Sequence, residues 1–124
     1  MYKILAILFL LQSILLADTS QIIKEANDLF DEANEVALKD PDKSKQLYKS
    51  AVLKYKSLIK QGIKNPDLYT NLGNAYFFSG DKGRSLLNYH RAYRLNPSDE
   101  NINHNIEFLR TQTVDIPPDR KSVV

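Results

Sequence analysis

The stretch from Tyr69 to Pro97 reads YTNLGNAYFFSGDKGRSLLNYHRAYRLNP and decides the fold. Its small and apolar residues recur at intervals of three and four, which is the pattern of helices with one buried face. Ser79-Gly80-Asp81 interrupts this pattern, because Gly favours the end of a helix and Asp favours the start of the next. The stretch therefore predicts two helices, over residues 67–78 and 82–95, joined by a short turn.

The residue types in this helix pair suit close antiparallel packing. Gly73 and Ala92 have little or no side chain, so they let two helices approach each other. Tyr76 and Tyr89 are large enough to fill the space that remains between the helices. Pro97 cannot continue a helix and ends the pair.

The same residues resemble the signature of the helix pair known as the tetratricopeptide repeat (TPR). Two positions depart from the usual pattern: Tyr69 replaces Trp, and Ser85 replaces Ala. The matching positions, which we take as repeat-defining, are Tyr69, Leu72, Gly73, Tyr76, Ser85, Tyr89, Ala92 and Pro97. The resemblance implies an all-α, TPR-like stack of antiparallel helix pairs, with about five helices and a C-terminal capping helix.

Working outward, the apolar spacing predicts further helices over residues 20–38, 42–60 and 100–112. A shift by one TPR period aligns Ser85 and Tyr89 with Ala51 and Tyr55, whereas the small residue Ala33 falls out of phase with Gly73. We therefore expect a TPR domain over 18–112. It would comprise a degenerate repeat over about 20–62, a clear repeat over 66–99 and a capping helix over 100–112. The degenerate repeat has an insertion near 39–45, which the connecting loop and a longer second helix would absorb. The segment 113–124 should be a flexible tail.

The N-terminal segment, 1–17, has the composition of an export signal. One lysine, Lys3, precedes an apolar run that begins at Ile4 and ends at Ala17, and Asp18-Thr19-Ser20 is polar again. The run is shorter than the roughly 20 residues that span a bilayer as a helix, and it matches a signal-peptide core. We expect export to the periplasm or to the periplasmic face of the inner membrane. A short uncleaved anchor and a buried N-terminal helix remain alternatives.

Composition argues against catalysis and against nucleic acid. The chain has 17 basic and 15 acidic residues and no cysteine, so it offers neither a strong positive face nor a thiol. His90 and His104 lie on different predicted helices, without the close spacing of metal ligands. There is no phosphate loop or nucleophile elbow. We therefore predict no enzyme activity, no cofactor, no metal site and no nucleic-acid partner.

A narrower resemblance extends from Asp67 to Asp115. The sequences NLGNAYF, LNYHRAYRLNP and DENINHNIEF look like the TPR protein of the bacterial aerotolerance operon, the BatE type. That resemblance implies an exported, membrane-associated protein encoded beside von Willebrand factor A-type proteins and a MoxR-kind ATPase, with the former as candidate partners. Members of this type often continue into a membrane helix and an SH3-like domain. Since the sequence ends at Val124, we expect a short variant or a fragment.

A partner would bind the inner face of such a stack, which the first helix of each pair lines. On the third helix, the predicted contact residues are Thr70, Asn71, Asn74, Phe77 and Phe78. Asn74 could bond an extended peptide backbone, because its amide both donates and accepts. No Lys or Arg stands at positions 70, 71 or 74, which argues against capture of a chaperone's C-terminal carboxylate. Packing of Phe77 and Phe78 on flanking helices remains an equal alternative.

Two functions follow as expectations. The first is a non-catalytic scaffold or adaptor in the cell envelope, as part of an aerotolerance-type complex. The alternative is a periplasmic chaperone-like or assembly factor that binds extended clients. Repeat proteins generally need about three repeats to bury a continuous core. We therefore expect marginal stability of the isolated chain and either self-association or stabilisation by a partner.

Overall fold

The computed structural model describes residues 1–112, apart from the side chains of Leu15 and Ala17. The predicted tail, 113–124, lies outside the described residues. The helices are α1 (Tyr2–Val36), α2 (Pro41–Lys60), α3 (Pro66–Phe78), α4 (Lys82–Leu95) and α5 (Glu100–Gln112). No strand occurs among the described residues, and consecutive helices pack in pairs, so the predicted all-α class is confirmed.

The chain forms two compact units. Unit 1, Met1–Lys64, is the hairpin of α1 and α2. Unit 2 begins at Asn65 and contains α3 and α4, with α5 packed on α4 as a final helix. Each unit buries its own set of small, aromatic and aliphatic residues. In unit 1 the buried residues are Ala26, Ala33, Ser44, Tyr48, Ala51, Val52, Tyr55 and Leu58. In unit 2 they include Leu68, Tyr69, Leu72, Gly73, Ala75, Ser85, Asn88, Tyr89, Ala92, Ile102, Ile106 and Leu109.

Side-chain caps explain where four of the helices begin. The Asp40, Asn65 and Asp81 side chains each accept a hydrogen bond from the backbone N–H three residues later, at the start of α2, α3 and α4. Asp99 does the same for Asn101 and Ile102 at the start of α5. These bonds satisfy N–H groups that have no partner within the helix.

Two glycines explain where α2 and α3 end. Gly62 and Gly80 have φ of 92° and 94°, a left-handed conformation that other residues adopt only with strain. After α3, the Gly80 N–H bonds the Phe77 carbonyl and the Asp81 N–H bonds the Tyr76 carbonyl. The chain therefore reverses within a short turn, and the last residue of that turn, Asp81, already caps α4.

Helix α1 differs from the prediction. We expected a helix to begin at Ser20 after a separate leader, but α1 is continuous from Tyr2 to Val36. Asp18-Thr19-Ser20 changes the polarity of the surface without breaking the backbone, because the segment contains neither Gly nor Pro. The apolar part and the packed part of α1 thus belong to one rod.

Candidate protein interaction surface

The contact between α3 and α4 is built around Gly73. A Cβ atom placed on Gly73 would lie 2.5 Å and 2.6 Å from two ring carbons of Tyr89, so the ring occupies the space that glycine leaves. The Ser85 hydroxyl donates to the Gly73 carbonyl at 2.7 Å, and the Tyr89 hydroxyl donates to Asn74 Oδ1 at 2.6 Å. Burial raises the pKa of Tyr89, although the neighbouring Ser85 opposes this shift. The hydroxyl therefore stays protonated and able to donate.

Unit 1 contains the same set of contacts. The Ser44 hydroxyl donates to the Ala33 carbonyl at 2.8 Å, and the Tyr48 hydroxyl donates to Asn34 Oδ1 at 2.5 Å. Ala33 and Ser44 are fully or almost fully buried, as are their counterparts in unit 2. Each hairpin thus joins a small residue followed by Asn on its first helix to a Ser and a Tyr on its second.

This equivalence corrects the predicted alignment of the two repeats. The structural counterparts of Ser85 and Tyr89 are Ser44 and Tyr48, and not Ala51 and Tyr55. Ala51 instead corresponds to Ala92. The turn between the two helices is of similar length in both units, so no insertion lies in the loop near 39–45, whereas the longer second helix that was expected beside it is present.

The additional length of unit 1 lies at the C-terminal end of α2. That helix has 20 residues and α4 has 14, and its extra turns pack on an earlier part of α1. There the Tyr55 hydroxyl donates to Asn27 Oδ1 at 2.8 Å. Burial, with a smaller contribution from the negative charge of Asp31, raises the pKa of Tyr55 to about 12.

The raised pKa of Tyr55 predicts a loss of stability at high pH. An unfolded tyrosine ionises near pH 10, so the folded chain holds this proton more tightly than the unfolded chain. The stabilisation of the folded state by the protonated Tyr55 hydroxyl is fully present below about pH 10 and is lost as the pH rises towards 12. Tyr55→Phe removes the hydrogen bond to Asn27, so in urea titrations its free energy of unfolding at neutral pH should be about 0.5–1.5 kcal/mol below that of wild type. As the pH rises, the free energy of unfolding of this variant should fall less than that of wild type. The exposed Tyr93, changed to Phe, is the control, and equal alkaline decline in both variants would contradict the assignment.

The polar residues predicted to contact a partner are partly engaged within unit 2. The Thr70 hydroxyl donates to the Pro66 carbonyl at 2.9 Å, and Asn74 Oδ1 accepts from Tyr89. The Nδ2 group of Asn74 makes no hydrogen bond to the described residues, so it retains a donor. Asn71, like Thr70 and Asn74, is half-buried. Asn74 therefore stabilises the contact between α3 and α4, and replacing it would weaken that contact as well as any binding of a partner.

The aromatic residues at the end of α3 form a cluster with α5. The Phe77 ring meets the Phe78 ring edge-to-face at 5.2 Å and the Phe108 ring at 5.7 Å. Phe77 is half-buried, whereas Phe78 and Phe108 are 49% and 44% exposed. We call Phe77, Phe78 and Phe108 the aromatic cluster. Phe77 thus packs on a flanking helix, as the alternative interpretation held, while its two neighbours present apolar area to solvent.

Sequence reasoning missed Phe108 as a member of this surface and Asn34 as a counterpart of Asn74. The sequence placed Phe108 only within the predicted capping helix, 100–112. A signal for Asn34 was present, since Asp, Ser, Tyr and Ala recur with identical spacing at 40, 44, 48, 51 and at 81, 85, 89, 92. A search restricted to the TPR period does not find this repeat.

The ionisable groups of the described residues form no cluster that could hold a metal ion. His90 is half-buried, and its pKa is lowered by burial and by the positive charges of Arg110 and Arg94. Among residues 1–112, no three His, Asp or Glu side chains approach closely enough to hold a metal ion.

The N-terminal half of α1 is the one candidate membrane span among the described residues. An 18-residue window near the N-terminus is apolar enough to cross a bilayer, and none of it is buried against the rest of the chain. The same pattern is found in signal sequences. The exposure of Ile4, Phe9 and Leu16 shows that the described side chains of this half do not contribute to the core of unit 1.

No protein-family model and no curated protein matches the sequence. The two internally similar hairpins are consequently the best guide to what kind of protein this is.

Proposed function

We propose that the chain is a non-catalytic, TPR-type interaction module that acts as a scaffold or adaptor in the bacterial cell envelope. The observation that carries the proposal is the recurrence of one hairpin contact set in both units, Ser to a carbonyl and Tyr to Asn. Repeated helix pairs of this kind present extended surfaces for other proteins. The resemblance to the BatE type adds an aerotolerance-type complex and von Willebrand factor A-type membrane proteins as partners.

The aromatic cluster supports unit 2 as the site of contact. Aromatic residues are enriched in protein interfaces, where they bury a large apolar area with few rotatable bonds. The exposed rings of Phe78 and Phe108 both contact the half-buried ring of Phe77 edge-to-face. Asn71 and the free Nδ2 of Asn74 lie on the same helix as Phe77 and Phe78, where they can donate hydrogen bonds to a bound backbone.

The same cluster favours a second candidate, a chaperone-like factor for extended clients. Phenylalanine rings offer no hydrogen-bond specificity, so they suit many apolar segments bound weakly. The two candidates differ in what they capture: an adaptor retains one discrete protein, whereas a chaperone-like factor retains a heterogeneous set.

The test is affinity capture from solubilised envelope with the full chain. Phe78→Ser combined with Phe108→Ser removes the exposed part of the aromatic cluster. The matched control is Leu87→Ser with Leu95→Ser on α4, because these leucines are 44% and 48% exposed. Circular dichroism must show equal helicity for all three proteins.

If the chain is an adaptor, the wild type and the leucine control should each capture one discrete membrane protein. The phenylalanine variant should capture at least about tenfold less of that protein. A heterogeneous set that the phenylalanine variant loses would favour the chaperone-like alternative. Equal capture by all three proteins would show that the aromatic cluster is not the contact.

A further inference from the structure

The charges of unit 1 are separated along its length. The end nearest the apolar half of α1, residues 18–25 and 54–64, has five lysines and two carboxylates. The rest of the packed hairpin, residues 26–53, has four lysines and six carboxylates. Unit 1 is thus a rod with a positive end beside the apolar segment and a negative end away from it.

The positive end includes three exposed lysines: Lys56, Lys60 and Lys64. We call them the lysine-rich end. None of them forms an ion pair with the described residues. Their neighbour Lys54, by contrast, pairs with Glu25 at 2.6 Å. The charge of the lysine-rich end therefore faces solvent without a partner among residues 1–112.

The antiparallel hairpin places this end beside the point where α1 leaves its apolar segment. Thr19 Oγ1 lies 3.5 Å from Gln61 Oε1, and Gln61 directly follows Lys60. With a rise of about 1.5 Å per residue, Lys56 is about 8 Å along α2 from Gln61, whereas Lys49 and Lys45 are about 18 Å and about 24 Å away. Of these three α2 lysines, only Lys56 lies within about one Debye length, about 8 Å, of Gln61 along the helix. Lys60, which directly precedes Gln61, is closer still.

The apolar window of α1 is longer than the Ile4–Ala17 run alone and comes close to the length that this arrangement requires. The 18-residue apolar window is about 27 Å long as a helix, close to the roughly 30 Å of a bilayer's hydrocarbon core. Because α1 is continuous, a bilayer around its first half would hold Thr19 and Gln61 near the headgroups. Lysine clusters next to a membrane helix are attracted to anionic lipid.

We infer that α1 is retained as a membrane anchor and that the lysine-rich end of unit 1 binds anionic phospholipid headgroups beside it. The inference rests on the envelope location in the proposed function and adds a lipid contact to it. Lipid is favoured over an acidic protein because the positive charge is concentrated at the membrane level and the distant end is negative. The contact would fix the hairpin against the membrane surface.

The test reconstitutes the full chain into vesicles of phosphatidylcholine alone or mixed equally with phosphatidylglycerol. Thermal unfolding is followed by circular dichroism. Anionic lipid should raise the wild-type midpoint by about 5 °C, since binding to the folded state stabilises it, and high salt should remove the rise. Lys56→Gln with Lys60→Gln should lose most of the rise. Lys45→Gln with Lys49→Gln, the same charge change on the same helix, should keep it.

Two results would overturn the inference while leaving the adaptor proposal intact. Flotation of the vesicles in a density gradient shows whether the chain is attached to them. The first result is a chain that floats with both kinds of vesicle but unfolds at the same temperature in each, which would leave an acidic protein as the partner of these lysines. The other is an equal loss in both lysine variants, which would mean that attraction is not localised at this end. A chain that floats with neither kind of vesicle would contradict the retained anchor, and the adaptor proposal would still stand on the capture experiment.

Discussion

Replacing Tyr89 with alanine is expected to cost about 3–5 kcal/mol of unfolding free energy. Its ring lies against Gly73, and its hydroxyl holds Asn74, so the change empties the centre of the α3–α4 contact and removes a hydrogen bond. Tyr48→Ala should have an effect of similar size, because Tyr48 makes the equivalent bond to Asn34 in unit 1. Urea denaturation followed by circular dichroism measures both changes.

Tyr93→Ala is the control for these variants, since Tyr93 is on the same helix as Tyr89 but is exposed. A surface substitution of this kind should alter stability by no more than about 0.5 kcal/mol. If Tyr89→Ala or Tyr48→Ala shows no cooperative unfolding transition at all, that result also agrees with the predicted large loss of stability. A Tyr89 variant as stable as the Tyr93 variant would contradict the described packing, and a large effect at Tyr89 alone would contradict the equivalence of the units.

Adding one methyl group at Gly73 is expected to destabilise unit 2 by about 1–3 kcal/mol. The new Cβ would meet the Tyr89 ring at 2.5 Å, and the ring cannot move aside without breaking its bond to Asn74. The measurement is again the urea midpoint of Gly73→Ala.

Gly83→Ala provides the matched control for that experiment. Gly83 lies in the first turn of α4, where a Cβ would have one neighbour, Asp81 Oδ1, at 3.9 Å. Alanine there should be neutral or should stabilise by up to about 1 kcal/mol, because it favours helix. Equal stability of the two glycine variants would show that the helices are not as close as the structure has them.

Much of the fold could be predicted from local sequence signals. Pro41 and Pro66 stand at the start of α2 and α3, each behind a capping Asp or Asn, and Gly80 ends α3. These residues act through their own backbone, so their effect is visible in the sequence. The start of α1 was predicted wrongly for the complementary reason: polar residues at 18–20 change the surroundings of a helix but do not stop it.

The site was harder to predict because its contacts join residues from different helices. The bond between Tyr89 and Asn74 and the edge-to-face packing of Phe77 on Phe108 depend on how the helices meet. Helical periodicity placed Asn74 beside the core but could not show that its carbonyl oxygen was already used. The repeat alignment failed because α2 is longer than α4 at its C-terminal end. The extra residues increase the spacing between equivalent positions of the two hairpins beyond the TPR period, while the contacts within each hairpin stay the same.

The most direct test of the interaction proposal is photo-crosslinking in the native envelope. A photoreactive amino acid would replace Phe78 in the full chain, or Leu87 on α4 as the control. We expect a discrete adduct with one protein from position 78 and none from position 87. No discrete adduct from position 78, or the same adduct from both positions, would contradict an interaction surface built on the aromatic cluster.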